Sequence, residues 1–458
     1  MSELPKKWKL STIKDACKTV KGKKPKNSGD RSVQRTIPYI NIRAFESGLA
    51  EQFAEPGEYP TCNEDDVLIV WDGARSGLIG RGVSGFIGST LARISCQALD
   101  NSFLFYFLHS KYGEINSRTK GVGIPHVDPQ VLNSIKIPLP PQPEQRRIIA
   151  EIEKQFSRLE EGVNALKRVQ ANLKRYRAAV LKAACEGLLV ETEAELYRKR
   201  KTKSSKLGFE TGEQLLKRIL EERRKKWSGR GKYKEPTAPD TTNLPKLPEG
   251  WTCLSIDQMC SHITSGSRDW SKYYGKGVDT FIMAQNVRPM FLDMSERQSV
   301  AAPVGDAETE RTRVNVDDLL VTIVGAKTGD VCRVSCQLDN HFVCQSVALL
   351  RPVISTLSSF MEFYLASQEN GQAQWRGYIY GQGRPHLGFE QIRMTVIPLP
   401  PLAEQKRIVE EVERRLSVVE ELESLVTTNL QRASRLRQSI LQKAFTGNLI
   451  TEECNRHE

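Results

Sequence analysis

The chain is predicted to be an α+β protein of 458 residues, with two mixed α/β domains separated by two long helices packed as an antiparallel coiled coil and a pseudo-twofold internal repeat. Three observations predict this. Residues 137–160 read IPLPPQPEQRRIIAEIEKQFSRLE, and 260 positions later residues 397–420 read IPLPPLAEQKRIVEEVERRLSVVE, with 13 of 24 positions identical. Average residue usage gives roughly one or two identities by chance, and solenoid repeats run to only about 20–50 residues, so two copies of a whole module are present. Ahead of each copy lie short apolar runs punctuated by glycine and proline. Behind each copy the apolar residues take heptad spacing.

In chain order, Leu4-Pro5 with Trp8 opens the first domain (1–141), as Leu247-Pro248 with Trp251 opens the second (247–401). The runs 67–70, 319–324 and 347–350 read as strands bounded by Gly, Asn and Ser clusters. The stretch 102–110 reads as a helix, with a counterpart at 358–366. Pro138, Pro140 and Pro141 enforce extended backbone and end the first domain, as Pro398, Pro400 and Pro401 end the second. Helical spacers follow at 142–190 and 402–450. Their seams are Ile152, Leu159, Leu166, Leu173 and Val180 in the first, and Val412, Val419, Val426, Ala433 and Ile440 in the second. Five heptads in each copy are a coiled-coil pattern. Two matching seams in one chain most simply bury each other, and an antiparallel pairing would set the mixed domains at opposite ends of a rod. Gln170, Arg177, Glu423 and Arg437 fall on the seam, where polar residues fix register at a cost in stability. Gly187 and Gly447 fit helix C-caps. A basic linker (191–246), with a helix near 211–227, joins the modules, and 451–458 is a tail.

Hydrophobic residues make up 39% of the chain and charged residues 27%, as in soluble proteins. The first residues lack an apolar h-region, and no run approaches 18 apolar residues, so a cytoplasmic protein without membrane spans is expected. The ten cysteines form no CxxC pair and are expected to be free thiols. Of the net charge of +12, residues 198–234 carry +11, with 15 Lys/Arg against four Glu. Such a segment is either a solvated linker or a nucleic-acid contact.

Catalytic signatures are missing. There is no GxxxxGK[ST] loop, no HExxH, no G-x-S-x-G elbow, and no Asn/Asp-Pro-Pro-aromatic tetrapeptide of an amino-methyltransferase. Gly80-Arg-Gly-Val-Ser-Gly85 satisfies GxGxxG, but its counterpart in the second module has lost the pattern, so a turn-and-strand reading prevails over dinucleotide binding. A binding protein is indicated, and what remains suits DNA. The turns Gly73-Ala-Arg-Ser-Gly77 and Gly325-Ala-Lys-Thr-Gly329 each present a cation, Arg75 or Lys327, and a hydroxyl on backbone that can approach a phosphate. Lys21, Lys23, Lys24 and Lys26 resemble a phosphate-tracking loop. Asn41 with Arg43, and Asn286 with Arg288, carry the side-chain forks that match adenine and guanine edges. Gly121-Val-Gly-Ile-Pro-His126 and Gly381-Gln-Gly-Arg-Pro-His386 place His126 and His386 on exposed turns near Lys120 and Arg384.

At this point the chain resembles the specificity subunits of type I restriction–modification systems, over essentially its full length. The resemblance rests on Ile-Pro-Leu-Pro-Pro with Glu-Gln (137–145, 397–405), on the helix ends Leu-Lys-Ala-Ala-Cys-Glu-Gly (181–187) and Leu-Gln-Lys-Ala-Phe-Thr-Gly (441–447), and on Leu-Pro-x-x-Trp (4–8, 247–251). It implies two target-recognition domains, each reading one half of a split, asymmetric sequence in double-stranded DNA, with the helices fixing the gap. It also implies a non-catalytic subunit that recruits two methyltransferase subunits and two restriction subunits. S-adenosylmethionine, ATP and Mg2+ are then expected on those partners, which methylate adenine at N6 and cut DNA. A partner fusing methyltransferase and nuclease is the alternative within this class. A coiled-coil scaffold without a DNA role would leave both mixed domains without a task.

Overall fold

The computed structural model describes residues 4–121, 123–200, 208–227, 231–242, 246–266, 269–381 and 383–450. The expected tail, 451–458, and part of the basic segment lie outside them. The chain divides into two compact units, Met1–Val169 with Leu425–Glu458, and Gln170–Ser424. Each unit contains one mixed domain and a part of each long helix.

In the first unit the opening strand Lys9–Thr12 runs antiparallel to Lys136–Leu139, with Leu10 opposite Pro138. The two motifs that bracket the domain in sequence are therefore neighbours. Pro138 lacks an N–H, and a two-stranded pair with open edges tolerates it. A four-stranded sheet follows in the order Lys18–Lys21, Leu91–Ser95, Val67–Val70, Ile79–Gly80. All four residues of Val67–Val70 are buried. Val67 and Ile69 face a core with Phe103 and Phe107 of helix Asn101–Ser110. Leu68 and Val70 face Ile40, Phe45 and Ile87 on the other side. A strand covered on both faces reads as a continuous apolar run, which is why 67–70 does not alternate. The GxGxxG segment joins Ile79–Gly80 to Gly85–Ile87 through positive φ at Gly82 (94°) and Gly85 (151°), and opens no helix.

The second unit repeats the four-stranded order with Cys260–Ser265, Val347–Pro352, Leu319–Thr322 and Val331–Arg333, and repeats the helix as Ser358–Ala366. The interiors differ. The first domain adds a five-stranded sheet, whereas the second adds a three-stranded sheet built on Tyr274–Ile282 and a hairpin of Val287–Arg288 with Phe291–Leu292. One frame carries two inserts.

The Glu-Gln after Ile-Pro-Leu-Pro-Pro has a mechanical role in both copies. Trp8 Nε1 donates to Glu144 at 2.5 Å, and Trp251 Nε1 donates to Glu404 at 2.9 Å. Gln145 donates back to Pro140 O at 2.8 Å, and Gln405 to Pro400 O at 2.7 Å. Each helix start is thus clamped to its own domain, with an acidic first turn facing the positive end of the helix dipole.

The long helices are Gln142–Cys185 and Leu402–Phe445, of 44 residues each. In the first unit Ile148, Ile152 and Phe156 share a core with Ile440, Leu441, Ala444 and Phe445. Phe445 stands edge-on to Phe103 and Phe107 at 5.2 and 5.3 Å, and Arg437 lies 4.5 Å over Phe156. In the second unit Val180, Leu181 and Ala184 share a core with Ile408, Val412 and Leu416. There the seam residues Arg177 and Glu423 meet at 3.1 Å. In each unit the early part of one helix meets the late part of the other, so the pairing is antiparallel. Gly187 and Gly447 end the helices in left-handed conformation (φ 71° and 81°). A Cβ at either would collide with Pro248 or Pro5, the proline of a domain opening.

The nine cysteines among the described residues are free thiols. No described helix is long and apolar enough to cross a membrane.

Asp318, which precedes the central strand of the second unit, is 1% exposed and bonded by Arg351 through Nε (2.8 Å) and Nη2 (2.7 Å). Burial pushes its carboxyl above the ordinary range, and Arg351 pulls it back. Arg351→Ala would strand that carboxylate, and is expected to cost the second unit about 3–5 kcal/mol in urea unfolding.

Candidate nucleic-acid interface

The two glycine-rich turns of each domain are stapled together by the same set of hydrogen bonds, between residues 49 or more apart in sequence. In the first domain Gly73 N donates to Pro125 O at 2.7 Å, and Ser76 Oγ donates to Gly73 O (2.6 Å) and Pro125 O (3.0 Å). In the second, Gly325 N donates to Pro385 O at 2.9 Å, and Thr328 Oγ1 donates to Gly325 O (2.7 Å) and Pro385 O (3.0 Å). Gly73 and Gly325 take φ near +112°, which favours glycine. The hydroxyl expected to meet phosphate is instead spent on the staple. Ser76 is fully buried. The cation between the glycines, Arg75 or Lys327, stays exposed.

Around the first staple the structure brings together Lys21, Arg43, Arg75, Lys120 and His126. Asp72 bridges to His126 through the backbone, and Lys21 Nζ lies 3.1 Å from Asp72 and over the Trp71 ring. Lys120 pairs with His126 through the backbone, and its ammonium lies 3.0 Å from Asp128. Arg75 forms an ion pair with Glu46 of helix Ile42–Ser47, whose first turn carries exposed Arg43. Three of these cations therefore sit beside carboxylates that the cation-centred sequence reading passed over. The Lys120 contact holds the Asp128 carboxyl below its usual range. The Lys21–Asp72 and Arg75–Glu46 pairs are partly exposed and contribute little stability, so a phosphate can replace the carboxylate there at small cost, whereas the Asp128 side chain is only 10% exposed.

Lys23, Lys24 and Lys26 lie on a separate exposed loop and make no ion pair among the described residues. Lys23 and Lys26 line a surface hollow of about 290 Å³ with Glu55, Glu58 and Tyr59. Asn41 is a helix N-cap. Its Oδ1 accepts from Ala44 N at 3.0 Å and its Nδ2 donates to Gln52 at 3.2 Å, so its amide serves the fold.

Around the second staple lie Arg288, Lys327, Arg384 and His386. Burial pushes the Asp330 carboxyl up, while the charges of Lys327 and Arg288 pull it down. The matched residue of the first domain is Leu78. His386 bridges to Val324 and Tyr380 through the backbone, and its ring stacks on Tyr380 at 5.3 Å. Asn286 corrects the sequence reading. It is 2% exposed, accepts from Met283 N, and donates to Asp293 O (2.8 Å) and Glu296 O (2.7 Å). Its amide is consumed by the loop it organises and has no edge to offer a base.

Where it is described, the basic linker is held to the fold by contacts of its helix, while Arg224, Lys225 and Lys226 keep exposed side chains. Helix Gly212–Lys225 opens with a Thr211/Gln214 capping box and buries Leu215 and Ile219. Arg223 donates to Cys260 O (3.1 Å) and Tyr233 Oη (2.9 Å), Arg224 pairs with Glu235, Lys225 with Glu222, and Lys226 donates to Val353 O (2.7 Å). Changing these four residues to alanine is expected to lower the melting temperature of the second unit and leave the salt dependence of DNA binding unchanged. A flattened salt slope would place them on phosphates.

Residues 5–168 and 248–424 match the family model described as type I restriction modification DNA specificity domain. The chain is 25% identical over 455 residues to the type I restriction enzyme MjaVIII specificity subunit of Methanocaldococcus jannaschii, covering 99% of this chain and 95% of that one. It is 23% identical over 429 residues to the EcoBI specificity subunit of Escherichia coli, covering 91% and 81%. In fold it is similar to a chain solved for complex assembly and conformational transition of the type I R-M system (TM-score 0.64, 20% identity, 98% and 100% covered). It is likewise similar to the HsdS subunit of Thermoanaerobacter tengcongensis (TM-score 0.50, 20% identity, 98% of both covered). With a repeated frame, paired long helices and a family match over most of both modules, the chain belongs to the type I restriction–modification DNA specificity family.

Proposed function

We propose that this chain is the DNA-reading subunit of a type I restriction–modification complex. Each mixed domain reads one half of an asymmetric, two-part target in double-stranded DNA, and the helical segments set the gap between the halves. The observation that carries this reading is the stapled turn pair. It recurs bond for bond in both domains, presents a cation in each, and is surrounded by interiors that differ, as two unlike half-sites require. The chain itself does no chemistry. Two methyltransferase subunits binding S-adenosylmethionine would methylate adenine at N6, and two restriction subunits using ATP and Mg2+ would cut, all in the cytoplasm.

The test is co-expression with the neighbouring methyltransferase gene in a methylation-free host, followed by modification-sensitive sequencing. N6-methyladenine at a two-part motif with a fixed gap, dependent on this chain, is expected. A soluble assembled complex that leaves DNA unmethylated would refute the reading. One heptad inserted at matched points of both helices adds about 10 Å at 1.5 Å per residue, close to three base-pair steps. The gap in the methylated motif is expected to lengthen while both half-sites stay the same.

A further inference from the structure

In each domain the same turn carries two exposed positions four residues apart, and the two domains fill them in reverse. In the first domain position 120 is a cation, Lys120, and the turn tip is apolar, with Ile124 70% exposed. In the second the matched position 380 is aromatic, with Tyr380 61% exposed, and the tip is a cation, exposed Arg384. The backbone beneath is the same. Lys120 and His126 exchange two hydrogen bonds (2.9 and 2.8 Å), and so do Tyr380 and His386 (3.2 and 2.9 Å). The supports have changed with the side chains. Lys120 is held by Asp128 at 3.0 Å, but the residue matched to Asp128 is Gly388, and Tyr380 instead stacks on the His386 ring at 5.3 Å with the planes 30° apart. A single exposed apolar residue carries no message. An apolar and a cationic group exchanged between two positions, on a backbone that does not change, is a difference in what the surface recognises.

Resting on the DNA-reading role proposed above, we propose that half-site choice is set at these positions. Ile124 and Tyr380 make the apolar base contact of the first and second domains, and Lys120 and Arg384 are their cationic companions. The chemistry fits a major-groove edge. An apolar side chain meets a thymine methyl, and an adjacent cation meets guanine or the flanking phosphate. The stack on His386 holds the tyrosine ring in place, so little rotamer freedom is lost on binding.

The experiment uses the full chain with its methyltransferase partner and a panel of duplexes altered one base pair at a time in each half-site. Tyr380→Ala is expected to weaken cognate binding about five- to hundredfold and to relax the requirement at a position of the second half-site only. Ile124→Ala should do the same in the first half-site only, and Tyr380→Phe should behave as wild type. Tyr380→Lys, which installs the first domain's residue, serves as a second variant should the alanine form melt early. Unaltered discrimination at every base pair in the Tyr380 and Ile124 variants, with a specific wild type, overturns the inference. A wild type that discriminates nowhere sinks the DNA-reading role itself.

Discussion

Replacing Trp251 with alanine is expected to destabilise the second unit by about 3–5 kcal/mol, the range for truncating a buried tryptophan. Trp8→Ala, the same change in the same motif, should cost the first unit clearly less. The difference lies in burial. Trp251 is 7% exposed and edge-on to Phe360, whereas Trp8 is only half-buried. Trp251 also supplies a donor to Glu404, a fully buried carboxylate that accepts a further bond from Glu193 N at 2.8 Å. Burial already pushes the Glu404 carboxyl above its usual range, and the Trp251 N–H draws it back. Losing that donor raises the folded-state value further above the unfolded one. A raised carboxyl penalises folding only once the unfolded form ionises, so the alanine variant should lose more at pH 7 than near pH 4. Calorimetry of both variants at the two pH values checks the ranking and the sign. Equal losses would remove Glu404 from the explanation.

The second large effect concerns salt. Alanine at Lys23, Lys24 and Lys26 is expected to flatten the slope of log affinity against log salt by about 0.9 for each phosphate that is no longer neutralised, approaching 2.7 if all three lysines touch the DNA backbone. Among the described residues these lysines form no ion pair, although Glu55 and Glu58 line the same hollow as Lys23 and Lys26. Lys21, Arg75 and Lys120 do form ion pairs, so each of them should contribute less. Asp128 caps helix Pro129–Ser134 through Gln130 N, and asparagine caps as well as aspartate. Asp128→Asn should therefore preserve the helix, release Lys120, and strengthen binding to duplexes of any sequence. Titrations between 50 and 200 mM salt would show both effects. An unchanged slope for the triple lysine variant would take that loop off the DNA.

The parts of the fold legible in sequence are those governed by periodicity and by backbone chemistry. Heptads announced both long helices. Three prolines announced the extended segment, and glycines with φ near +112° announced the turns. What sequence order did not reveal was pairing. That Lys136–Leu139 lies beside Lys9–Thr12, or that Gly73 meets Pro125, depends on contacts made across more than 50 residues. The site shows the same boundary. Residue type alone made Asn286 a base reader, and burial made it a loop anchor. The carboxylates Asp72, Glu46 and Asp128 were overlooked because net charge counts cations without saying which carboxylate lies next to each. The exchange of Lys120 for Tyr380 stands in plain view at the 260-residue offset. It acquires meaning only once the staple shows that both side chains occupy one place.

The division of the chain has a consequence for its synthesis. The second unit is one continuous stretch, Gln170–Ser424, but the first is completed only by Leu425–Glu458. On the ribosome the first domain therefore emerges with an unfilled slot where Ile440, Leu441, Ala444 and Phe445 belong. About 250 residues must follow before the missing segment appears, a wait of roughly 10–50 s at 5–20 residues per second. During that interval Phe103 and Phe107 lack the ring that covers them. A nascent chain stalled within the second unit would present this apolar slot to chaperones and proteases, whereas a finished chain would close it. The last helix thus completes the core of a domain made long before it.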